Sequence, residues 1–213
     1  MTVKPLTKNI IGFDGHTDFT RYERLGGYAA VRKTIGRTDP DAVLELLKEA
    51  NLRGRGGAGF PTGMKWSFVP KKEGNGHRYL VANADEMEPG TFKDRLLMEK
   101  DPHQLIEGMI LSAYTISADV GYIFIRGEYH VAIARLQAAI NAATASGLLG
   151  DHILGSEFSF QLHVHVSAGR YICGEETALL NSLEGKRAIP RAKPPFPQVS
   201  GLWGRPTIVN NVE

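Results

Sequence analysis

Residues 78–83 of the chain read Arg-Tyr-Leu-Val-Ala-Asn, a short apolar run between polar ends. Such a run predicts a short buried strand. Residues 120–126, Val-Gly-Tyr-Ile-Phe-Ile-Arg, are rich in β-branched and aromatic residues and predict a second strand. Residues 158–166 alternate apolar and polar side chains, which predicts a half-buried third strand.

Helical patterns precede and separate these strands. Asp39 and Pro40 suit the cap and the first position of a helix over 39–51. Three further helices are predicted, from Asp101-Pro102 onward, over 129–146 before Gly147, and over 175–183 before Gly185. Strands that alternate with helices indicate an α/β fold, in which a layered sheet lies between flanking helices.

Composition also suggests how the chain is divided. We expect residues 1–38 to form an N-terminal arm and helix, extended over 1–20, and residues 39–213 to form the α/β domain. Residues 185–206 hold five prolines and five Lys or Arg but no Asp or Glu, which is typical of a stiff, basic surface loop or linker. The abrupt stop at 207–213 indicates a fragment or a natural truncation.

The overall composition excludes several classes of protein. The 213 residues are 42% hydrophobic and 23% charged with a net charge of +2, as in an ordinary soluble globular domain. A single cysteine excludes a disulfide framework and any metal or iron–sulfur site built from cysteines alone. No apolar run approaches the ~18 residues of a membrane helix, and no secretory signal is present. A reducing, cytosolic compartment is therefore expected.

Glycine is concentrated in one loop, residues 53–65, which contains five glycines. Gly54, Gly56 and Gly59 match the spacing of the dinucleotide fingerprint, but a helix rather than a strand precedes them, which weighs against an ordinary Rossmann turn. Glycines let backbone amides approach a phosphate or a ring edge closely. The alternatives are a tight structural turn and an RNA-binding Arg-Gly-Gly element.

Three side chains near this loop suit a nucleotide. Lys65 follows the glycines closely enough to neutralise a phosphate. Phe60 and Phe68 flank Lys65 and offer flat apolar faces for ring stacking. The alternative for Lys65 is an ordinary solvated lysine.

An acidic turn, Asn-Ala-Asp-Glu-Met-Glu-Pro-Gly over 83–90, follows the first strand. Ligands of open α/β sheets bind at strand ends, and the Asn83 amide suits the edge of a heteroaromatic ring. The carboxylates of Asp85, Glu86 and Glu88 each need a donor, a cation or water, and ribose hydroxyls are suitable donors. Carboxylates would also select against a 2′-phosphate, which favours NAD over NADP. A hard-cation site and a solvated turn are the alternatives.

A second element with glycine and acids, residues 169–177, joins the third strand to the last helix. Gly174 permits close approach of a ligand, and the start of the helix offers free amides. Glu175 and Glu176 also fit a simpler role, a favourable interaction with the helix dipole.

Cysteine and histidine give weaker signals. Cys173 has no His or second Cys near it in sequence and is interpreted as a packing residue. His163 and His165 share one strand face, so a metal pair stands as an alternative to ordinary surface residues.

Five blocks of the chain, taken together, resemble a known family. They span residues 54–66, 83–90, 171–178, 193–197 and 209–213. In this order they resemble the flavin-bearing, NADH-binding subunit of respiratory complex I, an NADH-quinone oxidoreductase. The same module occurs in NAD-dependent formate dehydrogenases and NAD-reducing hydrogenases. The resemblance covers residues 50–213 and implies a Rossmann-like FMN-binding domain.

The resemblance implies two cofactors, non-covalently held FMN and NAD(H) stacked above it. The residues implied for FMN are Gly54, Arg55, Gly56, Gly57, Lys65, Asn83, Asp85, Glu86, Tyr171, Gly174, Glu175, Glu176, Asn210 and Asn211. Those implied for NADH are Phe60, Phe68, Glu88, Lys193 and Phe196. Glu88 and Glu176 are implied as the catalytic carboxylates, which would tune the flavin that accepts the hydride of NADH.

The resemblance also implies a function and partners. The chain would oxidise NADH and pass electrons through iron–sulfur clusters to quinone. Its partners would be NADH, a 2Fe–2S thioredoxin-like subunit and an iron–sulfur subunit, in a peripheral complex on the cytoplasmic side of the inner membrane. Neither nucleic acid binding nor direct membrane insertion is expected. A diaphorase subunit of a soluble formate dehydrogenase or hydrogenase, and a non-catalytic docking fragment, are the rival functions.

The chain departs from the family pattern at two places. Ser167-Ala168-Gly169 keeps only the last glycine of a run that usually precedes the Tyr-Ile-Cys block, which puts the fit of the flavin there in question. The family also continues into a ubiquitin-like segment and a helical domain, where four cysteines hold a 4Fe–4S cluster. With one cysteine, this chain would reduce a flavin but lacks that exit for electrons.

Overall fold

A parallel sheet forms the centre of the molecule. The computed structural model describes residues 4–71, 74 and 76–213. Within them lie the strands β1 (Tyr79–Ala84), β2 (Val120–Arg126), β3 (Gln161–Ser167) and β4 (Thr207–Asn211). Their order is β3-β2-β1-β4, and every neighbouring pair is parallel. The α/β class and the three predicted strands are confirmed, and β4 is an additional strand.

Helices connect and cover the strands. They are α1 (Phe19–Arg24), α2 (Ala29–Thr34), α3 (Pro40–Glu49), α4 (Thr62–Ser67), α5 (Lys93–Lys100), α6 (Pro102–Ile116), α7 (His130–Ala145), α8 (Glu176–Leu183) and α9 (Pro197–Ser200). Short 3-10 turns cover Ile153–Gly155, Tyr171–Gly174 and Leu202–Gly204. Helices α3, α6, α7 and α8 confirm the four predicted helices.

The start of α3 and the ends of α7 and α8 follow from local chemistry. The Asp39 carboxylate accepts a hydrogen bond from the Asp41 amide, and Pro40 occupies the first position of α3. Gly147 and Gly185 follow α7 and α8 with positive φ values of 69° and 75°. Their amides donate back into the preceding turn, which ends each helix without strain.

Three predicted loops contain more structure than expected. Residues 5–12 form successive turns and α1 begins at Phe19, so the extended conformation expected for 1–20 is wrong; residues 1–3 lie outside the described residues. The glycine-rich stretch 53–65 is a loop only up to Pro61, after which α4 begins at Thr62. Residues 185–206 contain α9 and bury Leu202, because this stretch packs on the sheet rather than serving as a free linker.

The helices α4, α5 and α9 were not predicted from the sequence, and the one helix expected within residues 1–38 is found as two short ones, α1 and α2. Four to eight residues make one or two turns, which is too short for an apolar stripe to repeat. Helix α5 illustrates what defines them instead. The Glu86 carboxylate accepts hydrogen bonds from the amides of Asp94 and Arg95 in its first turn, a tertiary contact that no local pattern reveals.

The central strands β1 and β2 are largely buried on both faces, as strands of parallel sheets generally are, whereas Gln161 and His163 of the edge strand β3 are exposed. On one face Leu80, Ala82 and Ile123 join a large core with α6 and α7. On the other face Val81, Phe124 and Val209 pack against α8 and the turn at Leu202. Because successive side chains of β1 point to opposite faces of the sheet, the few residues of this strand contribute to both apolar layers.

The N-terminal helices are part of the larger core. Tyr28 and Val31 are fully buried, and Tyr22 and Ile35 are nearly so. Glu107 of α6 accepts hydrogen bonds from the Tyr22 hydroxyl and the Tyr28 amide. Residues 19–35 thus contribute side chains to the larger core, while the boundary between 1–38 and 39–213 stays a prediction.

The strand order creates a crevice. From β1 the chain proceeds to β2 and β3 on one side, and returns on the other side as β4. The carboxyl ends of β1 and β4 therefore mark the point where the connections diverge, which is where open α/β sheets bind ligands. Asn83 is paired in register with Asn211 at this point. No helix among the described residues is long and apolar enough to cross a membrane.

Candidate functional site

Two adjoining cavities open at the carboxyl ends of β1 and β4. The first, about 720 Å³, contains Lys65, Lys193, Phe60, Phe68 and Phe196 and is called the lysine cavity. The second, about 620 Å³, contains Asp85, Glu86, Glu88 and Tyr171 and is called the acidic cavity. Both are lined by Gly56, Asn83, Gly174, Glu175 and Asn211, which form the boundary between them.

The fold brings every sequence-predicted site residue to one of these cavities. The lysine cavity also holds Gly54, Glu176 and Asn210, and the acidic cavity also holds Arg55 and Gly57. The residues implied for FMN thus extend through both cavities. Of the residues implied for NADH, Glu88 alone lies in the acidic cavity, apart from the other four.

The glycine loop is closed on itself and held against β4. The Gly54 amide donates to the Phe60 carbonyl at 2.9 Å, and the Asn211 side-chain oxygen accepts from the Arg55 amide at 2.7 Å. A Cβ at Gly56 would lie 2.5 Å from the Asn211 amide nitrogen, so the close approach requires glycine there. The loop joins α3 to α4 rather than following a strand, so it is not an ordinary Rossmann turn.

In the lysine cavity, the Glu176 carboxylate lies between two lysines. The Glu176 carboxylate lies 3.0 Å from the Lys65 ammonium and 2.6 Å from the Lys193 ammonium. Burial disfavours the charge of Glu176, but the two lysines outweigh burial and lower its pKa. Lys65, which we expected to face a phosphate, also donates to the Val209 carbonyl at 2.7 Å. In this structure Lys65 is therefore already paired.

The three acids of the acidic turn have different surroundings. The Glu86 carboxylate is buried and accepts hydrogen bonds from two amides of α5 and from the Tyr129 hydroxyl. Glu88 is exposed and accepts from the Tyr171 hydroxyl, a contact that raises the pKa of Tyr171. Within the described residues, the carboxylates of Glu86 and Glu88 thus have the expected hydrogen-bond donors, and that of Asp85 does not.

Asp85 is the acid without a donor. It is 6% exposed, and neither carboxylate oxygen has a hydrogen-bond partner within the described residues. Burial raises the pKa of Asp85 to about 6, although Arg126 and the Ser167 hydroxyl oppose the rise. A buried, unpaired acceptor at a cavity wall is the type of group that a ligand's hydroxyl or N–H satisfies.

The start of α8 differs from the prediction. We expected free amides there, but the Glu175 carboxylate accepts from the Thr177 amide, the Ala178 amide and the Thr177 hydroxyl at 2.6–2.9 Å. Glu175 therefore caps the helix and occupies the amides itself. The Asn83 side chain donates to the Gly174 carbonyl at 3.0 Å, which fixes Gly174 at the boundary of the cavities.

The aromatic side chains leave an open apolar wall. The rings of Phe60 and Phe68 lie 6.4 Å apart between centroids, and each side chain is about half exposed. Phe196 is 53% exposed and lies 6.0 Å from the Lys193 ammonium. This wall offers apolar area that only a flat, partly apolar ligand would cover.

Cys173, His163 and His165 are packed against neighbouring side chains. Cys173 is buried in the core beneath α8, which confirms it as a packing residue. His163 lies 5.6 Å from the ring of Tyr122, and His165 stacks on Phe124 at 5.3 Å. Among the described residues no group of three His, Cys, Asp or Glu could hold a metal ion.

Sequence reasoning missed several cavity residues. In the lysine cavity these include Thr62, Gln198 and Val199, and in the acidic cavity Met87, Lys93 and Ile172. Met87 and Ile172 lie within motifs already singled out, and that proximity was the only available signal. Gln198 and Val199 reach the cavity because α9 packs on β4, which the sequence does not indicate.

The match to known proteins agrees with this geometry. Residues 47–213 match the Nuo51 FMN-binding domain. The chain belongs to the Nuo51 FMN-binding domain family. The matched residues begin within α3 and include both cavities and the whole sheet, so the family domain coincides with the described site.

Two relatives and one solved structure illustrate the family. The chain is 62% identical over 208 residues to the second F-type subunit of the NADH-quinone oxidoreductase of Rhizobium meliloti, covering 98% of this chain and 49% of that protein. It is 60% identical over 192 residues to the F-type subunit of the same enzyme of Escherichia coli, covering 90% and 43%. A crystal structure of an NAD⁺-reducing NiFe-hydrogenase matches with a TM-score of 0.77 and 39% identity, covering 99% and 33%. The chain thus spans about half the length of these curated relatives.

The departure at Ser167 has a structural account. Ser167 ends β3 without a positive φ, and its hydroxyl accepts from the Gly169 amide at 3.1 Å. Gly169 keeps the positive φ of 79°. Gly169, the glycine that this stretch keeps, is thus at a position of positive φ, which glycine adopts without strain.

Proposed function

We propose that this chain binds FMN and oxidises NADH as the flavin-bearing part of an NADH-quinone oxidoreductase. One observation carries the proposal: every candidate site residue taken from the five motif blocks, together with Phe68, lines one of two adjoining cavities at the sheet's divergence point. The names and identities of the two relatives support the same activity.

The residues present fit FMN. Gly56 leaves a surface against Asn211 that any Cβ would fill, and Gly57, with a φ of 106°, presents its backbone to the acidic cavity. Asp85 offers two unpaired buried oxygens to ligand hydroxyls or an N–H group. We assign Gly54, Arg55, Gly56, Gly57, Lys65, Asn210 and Asn211 to the phosphate side and Asn83, Asp85, Glu86, Tyr171, Gly174, Glu175 and Glu176 to the ring and its chain.

Bound FMN would supply the hydride acceptor, and the protein would supply binding and orientation. Phe60, Phe68 and Phe196 would stack on the adenine ring, and Lys193 would meet the anionic dinucleotide. Glu88 would accept hydrogen bonds from ribose hydroxyls, which a 2′-phosphate would prevent. Glu176 would present a carboxylate from the lysine cavity; in this structure Lys65 and Lys193 lower its pKa and keep it ionised.

The setting of the chain is part of the proposal. Electrons would leave through iron–sulfur clusters and reach quinone, with a 4Fe–4S cluster held by residues other than 1–213. The partners would be the 2Fe–2S and iron–sulfur subunits of a peripheral arm on the cytoplasmic side of the membrane. The higher identity to the two oxidoreductase subunits, 62% and 60%, favours this setting over the hydrogenase at 39%.

The test is flavin retention followed by reduction. The 213-residue chain is mixed with FMN under anaerobic conditions, free flavin is removed, and the visible spectrum is recorded before and after addition of NADH or NADPH. We expect retained flavin that bleaches with NADH and at least tenfold more slowly with NADPH. Absence of retained flavin at micromolar FMN, or equal bleaching by both nucleotides, would contradict the proposal.

A matched pair of glycine variants separates the site from general stability. In Gly56→Ala the new Cβ would displace the Asn211 amide and break its hydrogen bond to Arg55, so FMN retention should fall strongly. A Cβ at Gly108 in α6 has no neighbour within 4 Å, so Gly108→Ala should retain FMN like the unmodified chain. Equal retention by both variants would count against the assigned phosphate side.

A further inference from the structure

Three strands end side by side behind the acidic cavity. Ala84 at the end of β1 pairs with Ile125, so Asp85 and Arg126 are the next residues along their strands. Arg126 is in turn paired in register with Ser167 at the end of β3. A buried acid, a guanidinium and a hydroxyl therefore occupy neighbouring positions at the ligand-binding edge of the sheet.

Arg126 is held by several contacts. Its guanidinium donates to the Glu86 carbonyl at 2.7 Å and pairs with the Glu128 carboxylate at 3.1 Å. It also lies 5.0 Å from the centre of the Tyr129 ring. Tyr129 donates to the Glu86 carboxylate at 3.1 Å, so Arg126 and Tyr129 fix both ends of Glu86.

Arg126 lines neither cavity, so it acts through its neighbours. Asp85 precedes Glu86 directly and has no donor of its own within the described residues. The groups that act on the charge of Asp85 are Arg126 at the end of β2, Glu128 after it, the Ser167 hydroxyl of β3, and the Cys173 thiol before α8. Arg126 opposes the cost of burial most strongly among them.

We propose that Arg126 is a positioning residue of the flavin site, where it fixes the Glu86 carbonyl and balances the buried charge of Asp85. The proposal rests on the proposed function. Arg126 thereby keeps Asp85 a charged acceptor and holds it at a set position. A lysine could supply the charge, but one ammonium cannot contact the carbonyl, the Glu128 carboxylate and the Tyr129 ring as the planar guanidinium does.

The first measurement needs no flavin. The carboxyl carbon of Asp85 is followed by NMR against pH in the FMN-free chain, and its midpoint is expected at about 6. Loss of a neighbouring cation disfavours the ionised form, so Arg126→Gln should raise the midpoint by on the order of one pH unit. Arg126→Lys should restore it. An unchanged midpoint in the Gln variant would overturn the proposal.

Arg135 provides the matched control. Its guanidinium donates to the Glu99 carbonyl in a similar arginine-to-carbonyl contact, and it lines neither cavity. Arg135→Gln should lower the melting temperature without moving the Asp85 midpoint. A shift of the Asp85 midpoint in this control equal to that in Arg126→Gln would show a general effect of lost stability and overturn the proposal.

The second measurement is FMN affinity at pH 7 by fluorescence quenching. We expect Arg126→Gln to bind at least tenfold more weakly, Arg126→Lys to bind several-fold more weakly, and Arg135→Gln to bind as the unmodified chain does. Should the Gln variant fail to fold, the Lys variant decides, because unmodified affinity there would overturn the positioning role. Failure of the unmodified chain to bind FMN would instead overturn the proposed function, whereas the NMR titration would still report on Arg126 and Asp85.

Discussion

The charged side chains of the lysine cavity are paired with one another. Glu176 is contacted by Lys65 from α4 and by Lys193 from the loop before α9. An anionic ligand would exchange these contacts for its own rather than meet a free cation. The ion pairs thus hold both lysines at the wall of the cavity.

A different buried group makes the stability of the chain depend on pH. His103 is 2% exposed, and its Nδ1 lies 2.8 Å from the Tyr28 hydroxyl. Burial lowers the pKa of His103 from 6.5 to about 4. Between these pH values the unfolded chain binds the proton more strongly, so stability is present at neutral pH and is lost as pH falls. A shift of this size corresponds to on the order of 3 kcal/mol.

The prediction is tested with His103→Phe, which removes the titrating group. We expect its free energy of unfolding to fall less between pH 7 and pH 4.5 than that of the unmodified chain. Tyr28→Phe is the control, because it removes the hydrogen bond but keeps the imidazole, so the pH dependence should persist. Denaturant unfolding at several pH values measures both. Identical pH profiles for His103→Phe and the unmodified chain would exclude His103 as the source.

At the scale of elements, two helix caps of the same chemistry serve different purposes. Asp39 caps α3 at the exposed surface with one hydrogen bond, to the Asp41 amide. Glu175 caps α8 with three and also lines both cavities. Glu175 thus links the stability of α8 to the shape of the site.

We predict that Glu175→Ala and Asp39→Ala each lower the free energy of unfolding by about 1–2 kcal/mol, as loss of a cap does. Only Glu175→Ala should also weaken FMN binding, because α8 begins at the cavity wall. Denaturant unfolding and fluorescence quenching give the two quantities. Equal FMN affinities in the two variants would show that the cap is structural only.

For the whole molecule, the main question is whether the N-terminal residues are an appendage. Glu107 and His103 of α6 both contact Tyr22 of α1 and Tyr28, the residue that precedes α2, and Tyr28 is completely buried. Removal of residues 1–38 would expose this core and leave the Glu107 carboxylate without three of its donors. We therefore predict that residues 39–213 alone do not unfold cooperatively.

Circular dichroism during thermal unfolding measures this outcome. The control is removal of residues 1–13, which leaves α1 and α2 in place and should preserve a cooperative transition with a lowered midpoint. A sharp transition for residues 39–213 would contradict the prediction. It would also support the boundary at residue 38 that composition indicated.

The sequence predicted the parts of the molecule that depend on local chemistry. The apolar runs at 78–83 and 120–126, the Asp39-Pro40 start and the glycines after α7 and α8 each act within a few residues, so their patterns are visible in the chain itself. The motif blocks likewise identified residues that all reach the two cavities. The sequence by itself therefore determined the α/β class, the long helices and the candidate residues.

Only the tertiary structure decided how those residues are used. The donors to Glu86 come from several elements of the chain, and Glu175 occupies amides at the start of α8. Asp85 is buried and has no hydrogen-bond partner among the described residues. All three outcomes depend on the folded arrangement. Strand β4 lies at the edge of the sheet because it pairs with β1. Helix α5 begins where the Glu86 carboxylate accepts a hydrogen bond from the Asp94 amide. Long-range contacts have no local signature, because their free energy arises only when distant segments meet.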